Sequence, residues 1–117
     1  MGSDPKVALG EINFADATIK RYVVDETSLR LEIVLWNDWC CVIECDHLCA
    51  IKDSGSRELS SGGVLPALSN WGREQLAQHF TGAPPAGAYE LALIDTDDET
   101  CFAVVGIGSL IAHLSHP

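Results

Sequence analysis

From Leu29 to Trp36 apolar and polar positions largely alternate, with Leu29, Leu31, Ile33 and Leu35 on one face and Arg30, Glu32, Val34 and Trp36 on the other. A period of two is the mark of a strand with one buried face. Asn37 and Asp38 are turn formers, and a second run follows from Trp39 through Cys40, Cys41, Val42, Ile43, Glu44 and Cys45 to Asp46. The stretch Ser28 to Cys49 therefore predicts a β-hairpin. It carries two of the three Trp, four of the five Cys and one of the four His.

The hairpin admits two registers. A tight turn at Asn37-Asp38 opposes Leu31 to Glu44 and Leu29 to Asp46. Slipping by one residue opposes Leu35 to Cys41, Ile33 to Ile43, Leu31 to Cys45 and Leu29 to His47. The slipped register keeps apolar beside apolar, which is what selects a register when one face is buried. It pairs Arg30 with Asp46 favourably and Glu32 with Glu44 unfavourably. We take the slipped register, with a loop across Trp36 to Cys40 and a core face of Leu, Ile and Cys.

Around the hairpin the pattern places other elements. Lys6 to Ile12 reads as a short edge strand, and Phe14 to Val24 as a strand with Ala17, Ile19 and Val23 on one face. Asp25 to Ser28 is a turn. The third strand of this meander is expected to run on through Leu48 to Ile51. Lys52 to Gly63 is rich in Ser and Gly and reads as a mobile loop, and Val64 to Leu68 as a helix opening. Ser69 to Phe80 is the clearest helix, with Ser69 or Asn70 as cap, Gly82 as terminator and a narrow stripe of Gly72, Leu76 and Phe80. Thr81 to Gly87 is a linker. Tyr89 to Ile94 and Cys101 to Val105 form a second hairpin around the acidic turn Asp95 to Glu99. Ser109 to Leu114 fits either strand or helix. The expected fold is α+β: a curved antiparallel sheet of about five to six strands packed on a single main helix.

The 117 residues suggest one globular domain over 1–117, enough to bury a core without disulfides or metal. Met1 to Pro5 reads as a disordered lead, with Gly2-Ser3 a cloning scar. Seventeen acidic against seven basic residues give a net charge of −10. Such a balance argues against nucleic acid and anionic membrane surfaces and favours a basic protein partner. No apolar leader or membrane-length run is visible, so the five cysteines are read as reduced thiols in a cytoplasm. Exposed sheet edges would leave a homodimer open.

The cysteines raise the question of chemistry. Residues two apart on a strand lie ~6.6 Å from one another and residues four apart ~13 Å, so Cys41, Cys45 and Cys49 cannot all reach one ion. A zinc site would need Cys45 and His47, or His47 and Cys49, with help from Cys101, His79 or His113. No Cys-x-x-Cys knuckle is present. The cysteines are read as small core side chains, with no metal and no cofactor. A nucleophilic thiolate is disfavoured because Glu44 and Asp46 flank Cys45. Ser54, Ser56, Ser60 and Ser61 lack a nucleophile elbow. Asp95, Asp97, Asp98 and Glu99 lack the Gly and Glu spacing of a calcium loop. Gly62-Gly63 lacks the lysine of a phosphate loop. No catalytic residue is assigned.

A binding surface is the remaining candidate: Trp36, Asp38 and Trp39 at the hairpin tip, with Glu32, Glu44 and Asp46 on the polar face. The order of Phe14, Ala17, Ile19, Asp25, Ser28, Leu29, Leu31, Ile33, Trp36 and Asn37, followed by strand, loop, helix and strand pair, resembles small bacterial β-rich proteins. Some of those are similar to immunity proteins of polymorphic toxin systems. The resemblance covers about half the chain and implies binding and neutralising a protein, with no catalytic residues. The functional expectation is a non-enzymatic protein-binding module, in one version an immunity-like inhibitor of a basic partner. The alternative is a small-ligand binder or enzyme with a cavity between sheet and helix near His79, Tyr22 or Cys45, and the third is a Cys/His metal protein.

Overall fold

A computed structural model describes residues 6–7, 9–82 and 85–116. The reading of Met1 to Pro5 lies outside these, as does part of the Thr81 to Gly87 linker. The described residues are mostly antiparallel β with one α-helix and a short 3-10 turn at Leu9–Glu11. Strands β1 (Lys6–Val7), β2 (Thr18–Asp25), β3 (Ser28–Val34), β4 (Cys40–Cys45) and β9 (Leu110–Ser115) form one sheet in the order β1-β9-β4-β3-β2. Strands β5 (Leu48–Asp53), β6 (Leu59–Val64), β7 (Ala88–Asp95) and β8 (Thr100–Ile107) form a second, ordered β5-β8-β7-β6. One buried cluster joins them, with Leu29, Leu31, Ile33, Cys41, Ile43 and Cys45 of the first sheet against Leu91, Leu93, Phe102 and Val104 of the second. The architecture is a two-layer sandwich rather than the single sheet on a helix that the sequence predicted. The helix α1 (Asn70–Ala77) lies against β5 and β8, on the outer side of the second sheet. Nearly all of β7 and β8 is therefore buried on both faces.

The difference arises at Asp46-His47. The predicted third strand does not run on to Ile51. His47 takes a positive φ of 48°, and the chain leaves β4 to become β5 at an edge of the other sheet. Gly108, at φ 100°, makes the matching crossing from β8 to β9. The two corners are tied together: the Asp46 N–H donates to Ser109 O at 2.9 Å and the Ile107 N–H to His47 O at 3.1 Å. Glycine and histidine are both among the residues that meet the left-handed geometry these corners require.

The hairpin register also differs. Leu29 faces Cys45, Leu31 faces Ile43 and Ile33 faces Cys41, two residues from the predicted pairing. An even shift leaves every side chain on its predicted face, so the Leu/Ile/Cys core face stands. The shift removes the like-charge pair: Glu32 faces Val42, and Arg30 faces Glu44. The turn is tighter than the predicted loop. The Leu35 N–H donates to Trp39 O, the Asp38 N–H donates to Leu35 O, and Asp38 sits at φ 69°. These features make a three-residue loop closed by a left-handed position.

Other boundaries shift for identifiable reasons. A bulge between Ile19 and Arg21 reverses the faces of β2, so Tyr22 and Val24 pair beside Leu31 and Leu29 while Val23 turns outward. The Ser/Gly stretch read as a loop through Gly63 contains strand β6. A Cβ on Gly62 would come within 2.6 Å of the Leu93 side chain, so close strand packing selects glycine there. Val64 ends that strand, and no helix opens before Asn70. Ser109 to Leu114, undecided from sequence, falls largely in β9, which pairs with β4 and β1.

Candidate functional site

The six residues predicted as a binding face occupy three places. Trp36, Asp38 and Trp39 sit at the tip of the β3–β4 hairpin. Trp36 is 60% exposed, the most exposed large apolar side chain among the described residues. Trp39 is half-buried, packs against the core, and stacks on His116 with ring centroids 3.9 Å apart. The Trp39 backbone N–H donates to Asn37 Oδ1 at 3.2 Å. The tip is thus held from below while the Trp36 indole stands free.

Glu32 and Glu44 lie mid-strand on the outer face of the first sheet, where they are not free acids. Arg21 reaches Glu32 at 3.1 Å, Arg30 lies 3.6 Å from Glu32 and 3.9 Å from Glu44, and His113 Nε2 lies 3.1 Å from Glu44. The Arg21 hydrogen bond holds the Glu32 carboxyl below its ordinary range, against the opposing effect of burial. Asp46 stands at the far end of β4, roughly 25 Å from the tip at the rise of an extended strand. A shallow groove of about 500 Å³ runs over this outer face, lined by Arg21, Val23, Arg30, Glu32, Glu44 and Asp46 among others. Where a cavity between sheet and helix was expected, the described residues pack closely: Leu76 packs inward and is 1% exposed, and Gly72 abuts the Glu90 carboxylate. His79, Tyr22 and Cys45 do not converge. His79 is exposed beyond the helix, Tyr22 packs edge-on against Phe102 at 4.9 Å, and Cys45 is buried.

The cysteines divide between the sheets. Cys41 and Cys45 are fully buried in the first, Cys101 is buried in the second, and Cys40 and Cys49 are half-buried. Burial pushes the Cys41 and Cys45 thiols up to about 12, and raises those of Cys49 and Cys101. A thiol held protonated is neither a nucleophile nor a ready ligand. Among the described residues no three Cys, His, Asp or Glu side chains gather where a metal could be held. Beside Cys45, the Tyr89 hydroxyl donates to Asp46 O at 2.7 Å and so braces the sheet-crossing corner.

Sequence reading missed the free charge at the tip end. Thr18 pairs with Val34 and bridges to Glu58, and Leu59 pairs with Asp95. These pairings bring the Asp95–Glu99 turn, Glu58 and Asp16 to the end of the sandwich that carries the hairpin tip. Asp16, Asp38, Glu58, Asp97, Asp98 and Glu99 are all exposed there. The nearby Arg57 is committed to Asp53, at 2.8 and 3.1 Å. Only long-range pairing assembles this group, so no local motif announces it. No helix among the described residues is long and apolar enough to cross a membrane. No family model matches the chain, and no curated protein or solved structure does either.

Proposed function

We propose that this chain is a non-enzymatic protein-binding module that recognises a basic protein surface through the β3–β4 tip. An immunity-like inhibitor is the version that the sequence resemblance suggests. The observation that carries the reading is Trp36, 60% exposed on a loop whose backbone and neighbouring Trp39 are held in place. An indole presented on a rigid support loses little entropy on docking and is a frequent interface anchor. The exposed carboxylates at the same end would steer a basic partner and raise its association rate.

The protein encoded by the neighbouring reading frame is the first partner to test by titration calorimetry and stopped-flow mixing. Association should slow as salt rises. Trp36→Ala should weaken binding by about 2 kcal/mol or more while moving folding stability by no more than about 0.5 kcal/mol. Equal binding by wild type and Trp36→Ala would remove the tip from the interface.

A further inference from the structure

Strand β2 is the outer edge of the first sheet. Its start is covered, since Thr18 bridges to Glu58 and the Ile19 N–H donates to Arg57 O. From Lys20 to Asp25 no strand pairs with its outer side among the described residues. Val23 and Val24, in the middle of that open edge, are 50% and 47% exposed. An open edge with apolar side chains is a template for another strand. Natural edges are guarded by lysines and bulges, and here the Lys20 bulge guards only the upstream end.

The charge along this edge is asymmetric. Lys20 and Arg21 stand at one end, and Asp25 and Glu26 at the other. We propose that β2 pairs antiparallel with β2 of a second copy about a two-fold axis through Val23. That axis sets Val23 against Val23, Arg21 against Asp25 and Lys20 against Glu26 of the second copy. Tyr22 meets Val24. Arg21, Val23 and Asp25 all line the outer groove, whereas Tyr22 lies on the core side against Phe102, so each apposed pair shares a face. Centring on Tyr22 or Val24 instead would set charges against valines. The only self-pairing that matches apolar with apolar and cation with anion is therefore the one centred on Val23. Arg21 also bonds Glu32 of its own chain, and its side chain is 64% exposed, which leaves it able to bridge both carboxylates. The net charge of −10 opposes association in general, but this edge is locally balanced.

Sedimentation velocity from low micromolar to near-millimolar protein tests the pairing. Wild type should move from 12.6 kDa to twice that mass. Val23→Lys, which apposes two ammonium groups, and Asp25→Lys, which apposes Lys and Arg, should each raise the dimer Kd by about tenfold or more. Val64→Lys makes the same apolar-to-cation change at a 44% exposed position on the edge strand β6 and should leave the dimer intact. The amides within 21–25 that point away from β3 should exchange more slowly in the dimer. A wild type that stays monomeric at near-millimolar concentration would overturn the proposal, as would equal weakening by Val64→Lys or a dimer without protection at 21–25.

Discussion

Gly72 shows how one missing methyl can decide a local structure. Its backbone N–H donates to Ser69 Oγ at 3.1 Å, and that hydroxyl and the Ser69 N–H both donate to the buried Glu90 carboxylate, at 2.6 and 2.9 Å. A Cβ at position 72 would collide with a Glu90 carboxylate oxygen. On an exposed helix Gly→Ala stabilises by about 1 kcal/mol, but overpacking a filled site costs about 1–3 kcal/mol. Gly72→Ala should therefore destabilise in denaturant titration; a stabilised variant would mean that Glu90 yields freely. Glu32 makes a second residue-scale case. Its folded carboxyl titrates below its ordinary value of 4.5, chiefly through Arg21. A depressed carboxyl contributes stability that is fully present above the ordinary value and is lost as pH falls through the folded one. Denaturant titrations at neutral pH and near pH 3 should show wild type losing stability across that window and Glu32→Gln losing less. Equal losses would place the Arg21 pair outside the folding balance.

The β3–β4 hairpin was legible as an element because its alternation is strong and its apolar positions share a parity. Leu29, Leu31, Ile33, Leu35, Cys41, Ile43 and Cys45 are all buried, as the pattern required. Its register was not legible, because moving two residues preserves every face. Only the turn geometry at Asp38 and the repulsion between Glu32 and Glu44 separate the alternatives. Strand β2 misled for the opposite reason: a single bulge reversed its parity after Ile19. Strand β6 was hidden because Gly62 and Gly63 look like loop when read locally, while the close approach of Leu93 selects glycine at 62 in the fold. The two faces of β3 should respond differently to truncation. Leu31→Ala removes a fully buried side chain and should cost about 2–5 kcal/mol. Arg30→Ala removes an exposed ion-pair partner and should cost under about 1 kcal/mol. Chemical denaturation measures both, and equal costs would contradict the observed face assignment.

At the scale of the molecule, the sequence pattern supplied antiparallel β with one helix but not the division into two sheets. That division rests on backbone reversals at His47 and Gly108, which no hydrophobic period encodes. It also separates what looked like a cluster. Cys40, Cys41 and Cys45 remain in the first sheet, Cys49 crosses to the second, and the buried thiols become packing while Trp36 projects from the hairpin tip. The same division gathers the Asp16, Glu58 and Asp95–Glu99 carboxylates at the tip end, where the proposed partner would dock. The claim that the cysteine-rich ribbon is core and its tip is surface is tested most directly by alkylating the native protein near pH 8 and locating the adducts by mass spectrometry. Cys40 and Cys49 should react first, with Cys41, Cys45 and Cys101 protected until denaturant exposes all five. Rapid labelling of Cys41 or Cys45 in the native protein would contradict the account.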